Sequence, residues 1–513
     1  MHTFLGIELG STRIKSVLIN QQHEVVAQGS HIWENTLQNG MWTYSLDAIW
    51  AGVQESYRNL AQNFEEKHGH AITAISGIGI SAMMHGYLPF DAAGKLLVPF
   101  RTWRNTTTEK AAAVLTREFN FNIPQRWSIA HLYQAMLNQE QHVGEIDFIT
   151  TLAGYVHWQL TGEKVAGVGD ASGIFPIDAS GGYDATMVKK FDKLAAGSGI
   201  TLGRILPVVK MAGQAAGALT ENGAKLLDPS GKLAAGIPFC PPEGDAGTGM
   251  VATNSVAVRT GNISAGTSVF AMIVLEEALQ KLHVEIDMVT TPHGKPVAMV
   301  HCNNCSSDID AWVSIFSETL EAFGHTASRD ELYATLYSKA LGGDANAGGV
   351  LSYNYYAGEP ITAVAEGRPM LVRKPDANFN LQNLMRSLLY SAIATLKIGM
   401  VILEGENVHV DKLLGHGGFF KTQGVGQQFM AAALGVPVSV FEHAGEGGAW
   451  GIAVLAAYAG TSSTSLEAYL DGIFATQRVQ VATPLENDRK GFDEYLEAYK
   501  RGFLMQRAAI KTY

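Results

Sequence analysis

The sequence has few cysteines, an excess of acidic over basic residues and no long apolar run. Its cysteines are Cys240, Cys302 and Cys305. Three cysteines cannot form the disulfide framework of a small secreted protein, and one of them would always stay unpaired. The N-terminus has no cationic segment and places Glu8 where a secretory signal needs apolar residues. These absences predict a cytoplasmic protein.

Basic side chains are outnumbered. Lys and Arg total 37 against 48 Asp and Glu, which gives a formal net charge of −11. Such a chain has no broad positive field to attract nucleic acid or anionic lipid non-specifically, so we expect neither a nucleic acid nor a membrane as partner. Any phosphate must therefore be bound by a local arrangement of donors.

Long apolar runs are missing as well. A transmembrane helix needs roughly 18 to 20 uninterrupted apolar residues. The best candidates, around 427–441 and 448–459, are broken by Gly, Pro or polar residues. The sequence therefore predicts no membrane-spanning segment.

Hydrophobic residues and glycines are abundant. With 47% hydrophobic residues, 17% charged residues and 55 glycines, the composition is that of a folded protein rich in tight turns. A length of 513 residues exceeds what one hydrophobic core supports, so we expect either about three domains or two large lobes.

A strand–turn–strand pattern occurs twice, about half the chain apart. The first copy consists of the strand Phe4–Leu9, the break Gly10–Thr12 and the strand Ile14–Ile19. The second consists of the strand-like segments Ser255–Arg259 and Gly261–Ala265, then the break Gly266–Ser268 and the strand Val269–Val274. Self-similarity at half the length indicates two related lobes. It places their boundary near residue 250.

Elsewhere, strand-like runs alternate with helical ones. The predicted helices are Leu381–Leu403, nearly apolar on all sides, and Gln427–Leu434, with a terminal packing helix over Phe492–Leu504. The predicted strands include Ile72–Ile80 and Val436–Phe441. Alternation of this kind predicts an α/β fold.

Three small-residue turns are candidates for binding an anion or a nucleoside. Gly10–Thr12 and Gly266–Ser268 each combine a glycine, which lets the backbone approach a ligand closely, with hydroxyl donors. Two such tips facing each other would grip a polyphosphate. Gly415–Gly418 follows an apolar stretch and precedes a helix, where glycines let a flat ring lie against the backbone. The sequence contains no Gly-x-x-x-x-Gly-Lys-Ser/Thr loop, so a nucleotide would be bound in another manner.

Two further segments have candidate catalytic or binding residues. Asp245 follows the strand-like Ile237–Cys240 and is suited both to capping a helix and to accepting a proton from a substrate hydroxyl. These two roles are compatible. Met83–Gly86 begins a loop at the end of a predicted strand, which is a favoured ligand position in α/β folds.

Together these elements resemble the FGGY carbohydrate kinases, over almost the whole chain and in the family's order. In the N-terminal half the matching segments are Gly6–Thr12 (first phosphate element), Met84–Gly86 (sugar loop), Trp103–Asn105 (aromatic and polar segment), Asp170–Gly173 (segment after the Thr-Gly-Glu motif) and Gly244–Gly247 (catalytic base). In the C-terminal half they are Gly266–Ser268 (second phosphate element), Gly358–Pro360 (a family turn), Gly415–Gly418 (adenosine element) and Glu446–Gly451 (start of the closing helix).

The resemblance implies a two-lobed actin-like ATPase fold, related to ribonuclease H, with a cleft between an N-terminal lobe, 1–249, and a C-terminal lobe, 250–513. It also implies an ATP-dependent kinase for a primary hydroxyl of a ketose. The Met84–Gly86 loop favours a pentulose such as xylulose or ribulose. ATP is then the cosubstrate and Mg²⁺ bridges its phosphates. A homodimer is the default assembly.

The resemblance assigns roles to individual residues. Asp245 is the general base, and it joins Glu8 in holding the metal. The implied nucleotide-binding residues are Gly10, Ser11, Thr12, Arg13, Gly266, Thr267, Ser268, Gly417 and Gly418. The implied sugar-binding residues are Met84, His85, Trp103, Asn105 and Asp245.

The chain departs from the family pattern at several positions. It has Glu8 where the family usually has Asp, and Ala246 where xylulokinase-like members often have Asn. It has Asn105 and Thr107 where those members have Asp and Arg. Because these positions lie among those expected to face the sugar, a hexulose, a polyol or a sugar acid is an alternative acceptor.

Two hypotheses from other classes stay open. An actin-like nucleotide switch would hydrolyse ATP slowly without a small acceptor, and it would not need the Met84–His85 loop. A zinc-dependent enzyme built on His301, Cys302 and Cys305 is less well supported, because one Cys-x-x-Cys pair lacks the second pair typical of zinc sites.

Overall fold

The computed structural model describes residues 2–72, 75–441, 447–461 and 464–512. They form two compact units, each assembled from separated stretches of the chain. Unit 1 comprises Met1–Ala257, Met288–Val297 and Gly445–Thr476, and unit 2 comprises Val258–Asp287, Ala298–Ala444 and Gln477–Tyr513. The lobe boundary expected between residues 249 and 250 stays a prediction.

Strands and helices alternate along the described chain. The strands are β1 (Phe4–Leu9), β2 (Arg13–Ile19), β3 (Val25–Ile32), β4 (Thr36–Gln38), β5 (Met41–Thr43), β6 (Gly77–Ala82), β7 (Leu88–Phe90), β8 (Phe148–Thr150), β9 (Val165–Gly167), β10 (Val208–Lys210), β11 (Glu243–Gly244), β12 (Thr260–Ala265), β13 (Val269–Val274), β14 (Ile286–Thr290), β15 (Pro296–Cys302), β16 (Val350–Tyr353), β17 (Met370–Arg373), β18 (Lys412–His416), β19 (Val438–Phe441) and β20 (Val479–Ala482). The helices are α1 (Leu46–His68), α2 (Glu109–Phe119), α3 (Ser128–Leu137), α4 (Leu152–Thr161), α5 (Val168–Ala171), α6 (Ala185–Leu194), α7 (Leu202–Ile205), α8 (Glu221–Leu227), α9 (Asp245–Ala252), α10 (Ser307–Ala322), α11 (Arg329–Ala340), α12 (Leu381–Gly405), α13 (Val425–Leu434), α14 (Gly448–Tyr458), α15 (Leu466–Phe474), α16 (Glu486–Arg501) and α17 (Phe503–Thr512).

Unit 1 is built on a five-stranded sheet of order β11-β6-β1-β2-β3. Strands β1, β6 and β11 run parallel, and β2 and β3 continue the sheet in antiparallel pairings. Apolar side chains alternate along β1 and pack with α1 into the core. The sheet therefore carries three parallel strands that end at one edge.

The other face of β1 and β6 is lined by glycines, which lets α14 pack directly on the backbone. A Cβ atom at Gly6 would overlap the carbonyl oxygen of Ala449, and one at Gly79 would collide with Ile452. Successive residues of a strand point to opposite faces, so α1 and α14 cover the two sides of this sheet. All eleven residues of α14 are buried.

Unit 2 is built on a seven-stranded sheet of order β14-β15-β13-β12-β18-β19-β20, in which β14 and β15 continue into the 288–297 stretch of unit 1. Strands β12, β18 and β19 run parallel, and β13 pairs antiparallel with β12. This arrangement repeats that of β1, β6, β11 and β2 in unit 1. The strand–turn–strand repeat seen in the sequence therefore opens two sheets of the same local topology.

Among the described residues, one helix is long and apolar enough by length and composition to cross a membrane. This is α12, and 67% of its most apolar stretch is buried within the protein. Inside unit 2 it packs against α11, α13 and β16. The burial is that of a core helix.

Most predicted elements lie where the sequence pattern placed them, and a few do not. Strands β1 and β13 have the predicted bounds. The prediction of a strand over residues 255–259 was wrong: the Ser255 N–H bonds the carbonyl oxygen of Met250 and Arg259 adopts a positive φ of 63°. The predicted terminal helix is two helices, which meet at Gly502. Residues 73 and 74, within a predicted strand, and Glu446, at the expected start of the closing helix, lie outside the described residues.

Candidate active site

Three of the expected site segments follow the parallel strands of unit 1. In the sheet, Leu9 and Gly244 both pair with Ala82, so β1, β6 and β11 end side by side. The turn after β1, the loop after β6 and the start of α9 after β11 therefore lie at one edge. A backbone hydrogen bond from Met83 N to Leu9 O, 3.0 Å long, joins the first two.

Asp245 is the first residue of α9 and lies beside the loop after β6. Its Oδ1 accepts hydrogen bonds from Met84 N at 3.1 Å and Ala246 N at 3.0 Å. The side chain keeps an accessible surface, yet the surrounding protein removes enough water to raise the pKa of the carboxyl above its usual 3.8. In the described part of the chain, no hydrogen bond engages Oδ2, so one oxygen is fixed and the other is available.

Glu8 is the second carboxylate at this edge. Its Oε2 accepts a hydrogen bond from Ala449 N at 3.2 Å, close to the start of α14. Burial first, and then the charge of Asp245, raise the pKa of Glu8 to about 7, while Lys15, its cross-strand neighbour, lowers it. The two carboxyls are close enough to repel each other.

This donor set fits a magnesium ion. Carboxylate oxygens are the protein ligands that Mg²⁺ prefers, and it commonly takes one or two of them together with phosphates and water. Across the described residues no group of three or more His, Cys, Asp or Glu side chains is arranged to hold a metal ion. Any magnesium ion there would therefore take two carboxylates from this part of the chain, Glu8 and Asp245, and complete its ligands with phosphates and water.

The turn Gly10–Thr12 is held from behind. The indole Nε1 of Trp33 donates to the carbonyl oxygen of Gly10 at 2.8 Å, and the hydroxyl of Tyr44 donates to that of Ser11 at 2.6 Å. The two rings stack with centroids 4.1 Å apart. Within the described chain the hydroxyls of Ser11 and Thr12 have no hydrogen-bond partner, and Thr12 and Arg13 are exposed. The carbonyl oxygens of the turn are thus held by Trp33 and Tyr44, while the hydroxyls of Ser11 and Thr12 can bind a ligand.

The sequence did not indicate Trp33 or Tyr44. Both follow the turn by more than twenty residues, and neither lies in one of the short motifs that carry the family resemblance. The available signal was two aromatic residues with hydrogen-bond donors, downstream of a glycine turn. A local pattern does not show that they fold back onto it.

The loop after β6 holds His85 in a conformation that few residues adopt. His85 has φ 69° and the following Gly86 has φ 90°, both in the left-handed region. The imidazole is buried, stacks on Trp127 at 6.2 Å, and places Nδ1 3.4 Å from the carbonyl oxygen of Gly173. Met84 is buried beside Gly244. The structure thus joins the sugar loop, the Asp170–Gly173 segment and the strand before the base.

Trp103 and Asn105 differ in exposure. Trp103 keeps 39% of its surface exposed. Asn105 is buried, and its amide bonds backbone groups: Oδ1 accepts from Trp42 N at 2.9 Å, and Nδ2 donates to Trp42 O at 2.9 Å and to Thr102 O at 3.0 Å. Asn105 therefore fastens β5 to the 102–105 turn. Sugar contact by either residue stays a prediction.

In unit 2, the turn Gly266–Ser268 between β12 and β13 is held in the same way by different donors. The backbone N–H of Cys305 bonds the carbonyl oxygen of Thr267 at 2.9 Å, and that of Ser306 bonds the carbonyl oxygen of Gly266 at 3.0 Å. Thr267 is exposed. Both predicted phosphate turns thus have anchored carbonyl groups and exposed threonines.

The turn after β18 lies against the strand that leads into Gly266–Ser268. Gly417 has φ 99°, and a Cβ atom there would overlap the backbone of Ala265. A Cβ at Gly418 would meet no atom within 4 Å, so the surface there is open. The predicted adenosine and second phosphate elements are therefore adjacent within unit 2.

The cysteines support no zinc site. Cys240, Cys302 and Cys305 are buried free thiols, and burial raises the pKa of each. Cys302 lies near Glu359 and Cys305 near Asp310, but no trio of His, Cys, Asp or Glu in the described residues is arranged to hold a metal ion. The zinc hypothesis therefore finds no ligand set there.

Comparison with known proteins decides the family. The model of the N-terminal domain of the FGGY family of carbohydrate kinases matches residues 3–251, and that of the C-terminal domain matches residues 261–460. The chain belongs to the FGGY family of carbohydrate kinases. The family resemblance stated from the motifs is confirmed.

Two curated relatives of this FGGY protein are xylulose kinases. The Escherichia coli enzyme is 23% identical over 289 residues, which cover 54% of this chain and 55% of the relative. The Haemophilus influenzae enzyme is 20% identical over 415 residues, covering 77% of this chain and 79% of the relative. The chain thus spans about half the length of the first of these relatives and more of the second.

Solved structures confirm the fold of the FGGY chain. A xylulose kinase from Rhodospirillum rubrum has a TM-score of 0.79 at 18% identity, with 98% of each chain covered. A gluconate kinase from Lactobacillus acidophilus has a TM-score of 0.79 at 16% identity, covering 98% of this chain and 97% of that one. The predicted two-domain α/β fold of the actin-like, ribonuclease H-like class is confirmed.

Proposed function

We propose that the protein is an ATP-dependent kinase that transfers the γ-phosphate of ATP to a primary hydroxyl of a ketose, a pentulose such as xylulose or ribulose. The observation that carries the proposal is Asp245, held by Met84 N at the point where β6 and β11 end together. The reacting carboxylate and the loop expected to hold the sugar are thereby joined by one hydrogen bond.

Asp245 acts as the general base. Phosphoryl transfer needs a group that accepts the proton of the attacking hydroxyl and aligns its oxygen. Two backbone N–H groups fix Oδ1 of Asp245, which leaves Oδ2 to accept that proton. The raised pKa of the carboxyl makes it a stronger base than an aspartate in water.

The nucleotide phosphates bind at the two glycine turns. Thr12 in unit 1 and Thr267 in unit 2 are exposed on turns whose carbonyl oxygens are already bonded. Gly418 provides an open backbone surface for adenosine beside the second turn, and Gly417 packs next to it against the backbone of Ala265. Because the net charge is negative, these neutral donors need a cation to balance the phosphates.

Glu8 and Asp245 would hold that cation as Mg²⁺. Such an ion would supply positive charge that neutralises the charge developing on the phosphates during transfer. The protein would supply one carboxylate oxygen from each residue. The backbone N–H of Ala449 orients the carboxylate of Glu8, and that of Met84 orients the carboxylate of Asp245. The longer side chain of Glu8 reaches its position from strand β1 with its Oε2 already fixed.

The sequence relatives favour a pentulose as the acceptor, whereas the fold alone does not distinguish among acceptors. The curated relatives named above are xylulose kinases, whereas solved proteins of the same fold include a gluconate kinase and a glycerol kinase from Plasmodium falciparum. A shared fold at such low identity does not choose the acceptor. Substrates and a cytoplasmic location of the enzyme are therefore part of the proposal.

A panel of acceptors tests this function. Release of ADP is measured in a coupled assay with ketopentoses, ketohexoses, polyols and sugar acids, each against a blank without acceptor. We expect acceptor-dependent turnover that is highest with a ketopentose. Slow ADP release that no acceptor stimulates would instead support the actin-like switch, and preference for a polyol or sugar acid would overturn the pentulose assignment.

A further inference from the structure

Glu359 is a fully buried carboxylate in unit 2 that the proposed mechanism does not use. It lies in the turn that leads from β16 towards β17, and 0% of its surface is exposed. Its Oε2 accepts hydrogen bonds from Asn303 N at 2.8 Å and Asn304 Nδ2 at 3.2 Å. A buried charge is costly unless it is well bonded, so this arrangement needs a physical reason.

The segment bonded by Glu359 is the one that holds the second phosphate turn. The next two residues after Asn304 are Cys305 and Ser306, whose N–H groups bond the carbonyl oxygens of Thr267 and Gly266. The segment 303–306, which we call the bracing loop, therefore contacts the phosphate turn on one side and Glu359 on the other. Two hydrogen-bonded steps connect Glu359 to Gly266–Ser268.

Further bonds make the bracing loop rigid. Asn304, itself buried, accepts from Tyr356 N and Ala357 N, each at 2.9 Å. Asn303 Nδ2 donates to Gly358 O at 2.8 Å, and Asn354 Nδ2 donates to Cys305 O at 2.8 Å. All of these partners belong to the 354–359 segment, so that segment and the bracing loop form one bonded body.

We propose that Glu359 is a positioning residue for the nucleotide: it fixes the bracing loop, and through it the phosphate turn Gly266–Ser268. The inference rests on the proposed function in taking that turn as a phosphate site. A carboxylate suits the task because it accepts from two donors at once, and bonds to a charged acceptor are roughly twice as strong as neutral ones. Both donors bond Oε2, so the oxygen of a glutamine could accept the same two bonds, but it carries no charge.

The effect should be selective for the nucleotide. Glu359, the bracing loop and Gly266–Ser268 all belong to unit 2, whereas Met84, His85 and Asp245 belong to unit 1. Loosening the bracing loop should therefore weaken nucleotide binding and leave sugar binding unchanged. A residue that merely stabilised the fold would affect both ligands alike or neither.

The test compares the affinity of MgADP, measured by titration calorimetry at pH 8, for the full chain and three variants. Glu359→Gln keeps the shape and removes the charge, and Asn303→Ala removes an exposed link between the bracing loop and the Gly358 carbonyl. Glu366→Gln is the matched control, since Glu366 lies seven residues further on, is exposed, and bonds Arg368.

We expect MgADP affinity to fall about tenfold in Glu359→Gln, because two bonds to a charged acceptor become bonds to a neutral one, and about threefold in Asn303→Ala, because one neutral bond is lost. The control should stay within about twofold of the wild type. Steady-state kinetics should show KM for ATP rising while KM for D-xylulose stays unchanged.

An unchanged MgADP affinity in folded Glu359→Gln overturns the inference, as does an equal loss for MgADP and D-xylulose. Where Glu359→Gln does not fold, Asn303→Ala decides by the same criteria. Because calorimetry needs no turnover, a wild type that binds MgADP but phosphorylates no acceptor would refute the proposed function and still leave this test standing.

Discussion

At the scale of single residues, the proposed active site depends on carboxylates whose positions are fixed by backbone N–H groups. Asp245 is held by Met84 N and Ala246 N, and Glu8 by Ala449 N. The sequence could indicate Asp245 because it stands in a glycine-rich segment after a strand. It could not indicate these donors, which come from residues distant in sequence.

Replacing Asp245 by asparagine separates chemistry from binding. In Asp245→Asn the amide oxygen can still accept from Met84 N and Ala246 N, but it cannot take a proton from the acceptor hydroxyl. We expect kcat to fall by about 10²- to 10⁴-fold, the usual contribution of a general base. MgADP affinity, measured by calorimetry, should change little. Undiminished turnover in this variant would refute the role of Asp245.

Glu359 should make stability depend on pH. Burial raises the pKa of Glu359 from 4.5 to about 7, so the folded protein holds this proton more tightly than the unfolded chain. The contribution of this raised pKa to the free energy of unfolding is therefore complete below pH 4.5 and is lost as pH rises through about 7. The neighbouring Cys302 and Tyr355 have raised pKa values and stay neutral across this window.

Comparison with Glu359→Gln isolates this titration, because glutamine has no proton to lose. The stability of the wild type relative to the variant should decrease between pH 5 and pH 8, by at most about 3 kcal/mol. Thermal melting of both proteins at the two pH values measures the difference. If the stability difference between wild type and variant is the same at pH 5 and at pH 8, Glu359 does not titrate in this range.

At the scale of elements, the two phosphate turns are alike in sequence and in topology but differ in what holds them. The carbonyl oxygens of the first are bonded by side chains of Trp33 and Tyr44, and those of the second by backbone N–H groups of the bracing loop. A mutation can therefore loosen the first turn without altering its own residues.

Trp33→Phe is expected to weaken ATP binding. Phenylalanine keeps most of the stacking on Tyr44 but removes the indole N–H that bonds Gly10 O. KM for ATP should rise about three- to tenfold, equivalent to one hydrogen bond. Trp50→Phe is the matched control, since Trp50 lies in α1 and its indole N–H bonds the hydroxyl of Tyr155 in α4 instead of the turn. A similar rise in both variants would contradict a specific role for Trp33.

Gly417 and Gly418 should respond differently to alanine. Gly417→Ala places a side chain at φ 99° and against the Ala265 backbone, which should cost about 1–3 kcal/mol and disturb the strand leading into Gly266. Gly418→Ala meets open space and should melt like the wild type. Melting temperatures of the two variants measure this, and MgADP affinity should fall in Gly417→Ala. Equal stability of both would contradict the packing argument.

Elements were predictable from sequence wherever the signal was local. The bounds of β1 and β13 follow from apolar runs that end at glycine–hydroxyl breaks, and α12 follows from a long apolar periodicity. The strand predicted over 255–259 was wrong because Ser255 bonds back to the end of α9, a helix-end contact that β-branched composition does not reveal. Contacts such as Trp33 to Gly10 are long-range and have no local signal.

At the scale of the whole molecule, the same local topology occurs in both units and carries two different predicted binding segments. In unit 1 the loop after β6 carries Met84 and His85, and in unit 2 the turn after β18 carries Gly417. These strands are equivalent, since each is the parallel neighbour of its unit's first hairpin. The sequence indicated the repeated hairpin but not this equivalence, because β6 and β18 share no motif.

Unit 1 is assembled from three separated stretches, and this has a testable consequence. Helix α14, from the 445–476 stretch, packs on Gly6 and Gly79 and donates Ala449 N to Glu8. A fragment of residues 1–257 would therefore expose an apolar, glycine-lined sheet face and leave Glu8 without this donor. Exposing the contact surface of an entirely buried helix removes far more than the usual margin of stability.

We expect the 1–257 fragment to lack cooperative unfolding and near-ultraviolet circular dichroism. A single chain that joins 1–257, 288–297 and 445–476 through flexible linkers should restore both, since it contains all of unit 1. If the fragment alone melts cooperatively at the temperature of the joined chain, α14 is not required for the sheet. If the joined chain restores the cooperative transition, the fold around Glu8 and Asp245 depends on α14. In the sequence, this helix follows most of the residues of unit 2.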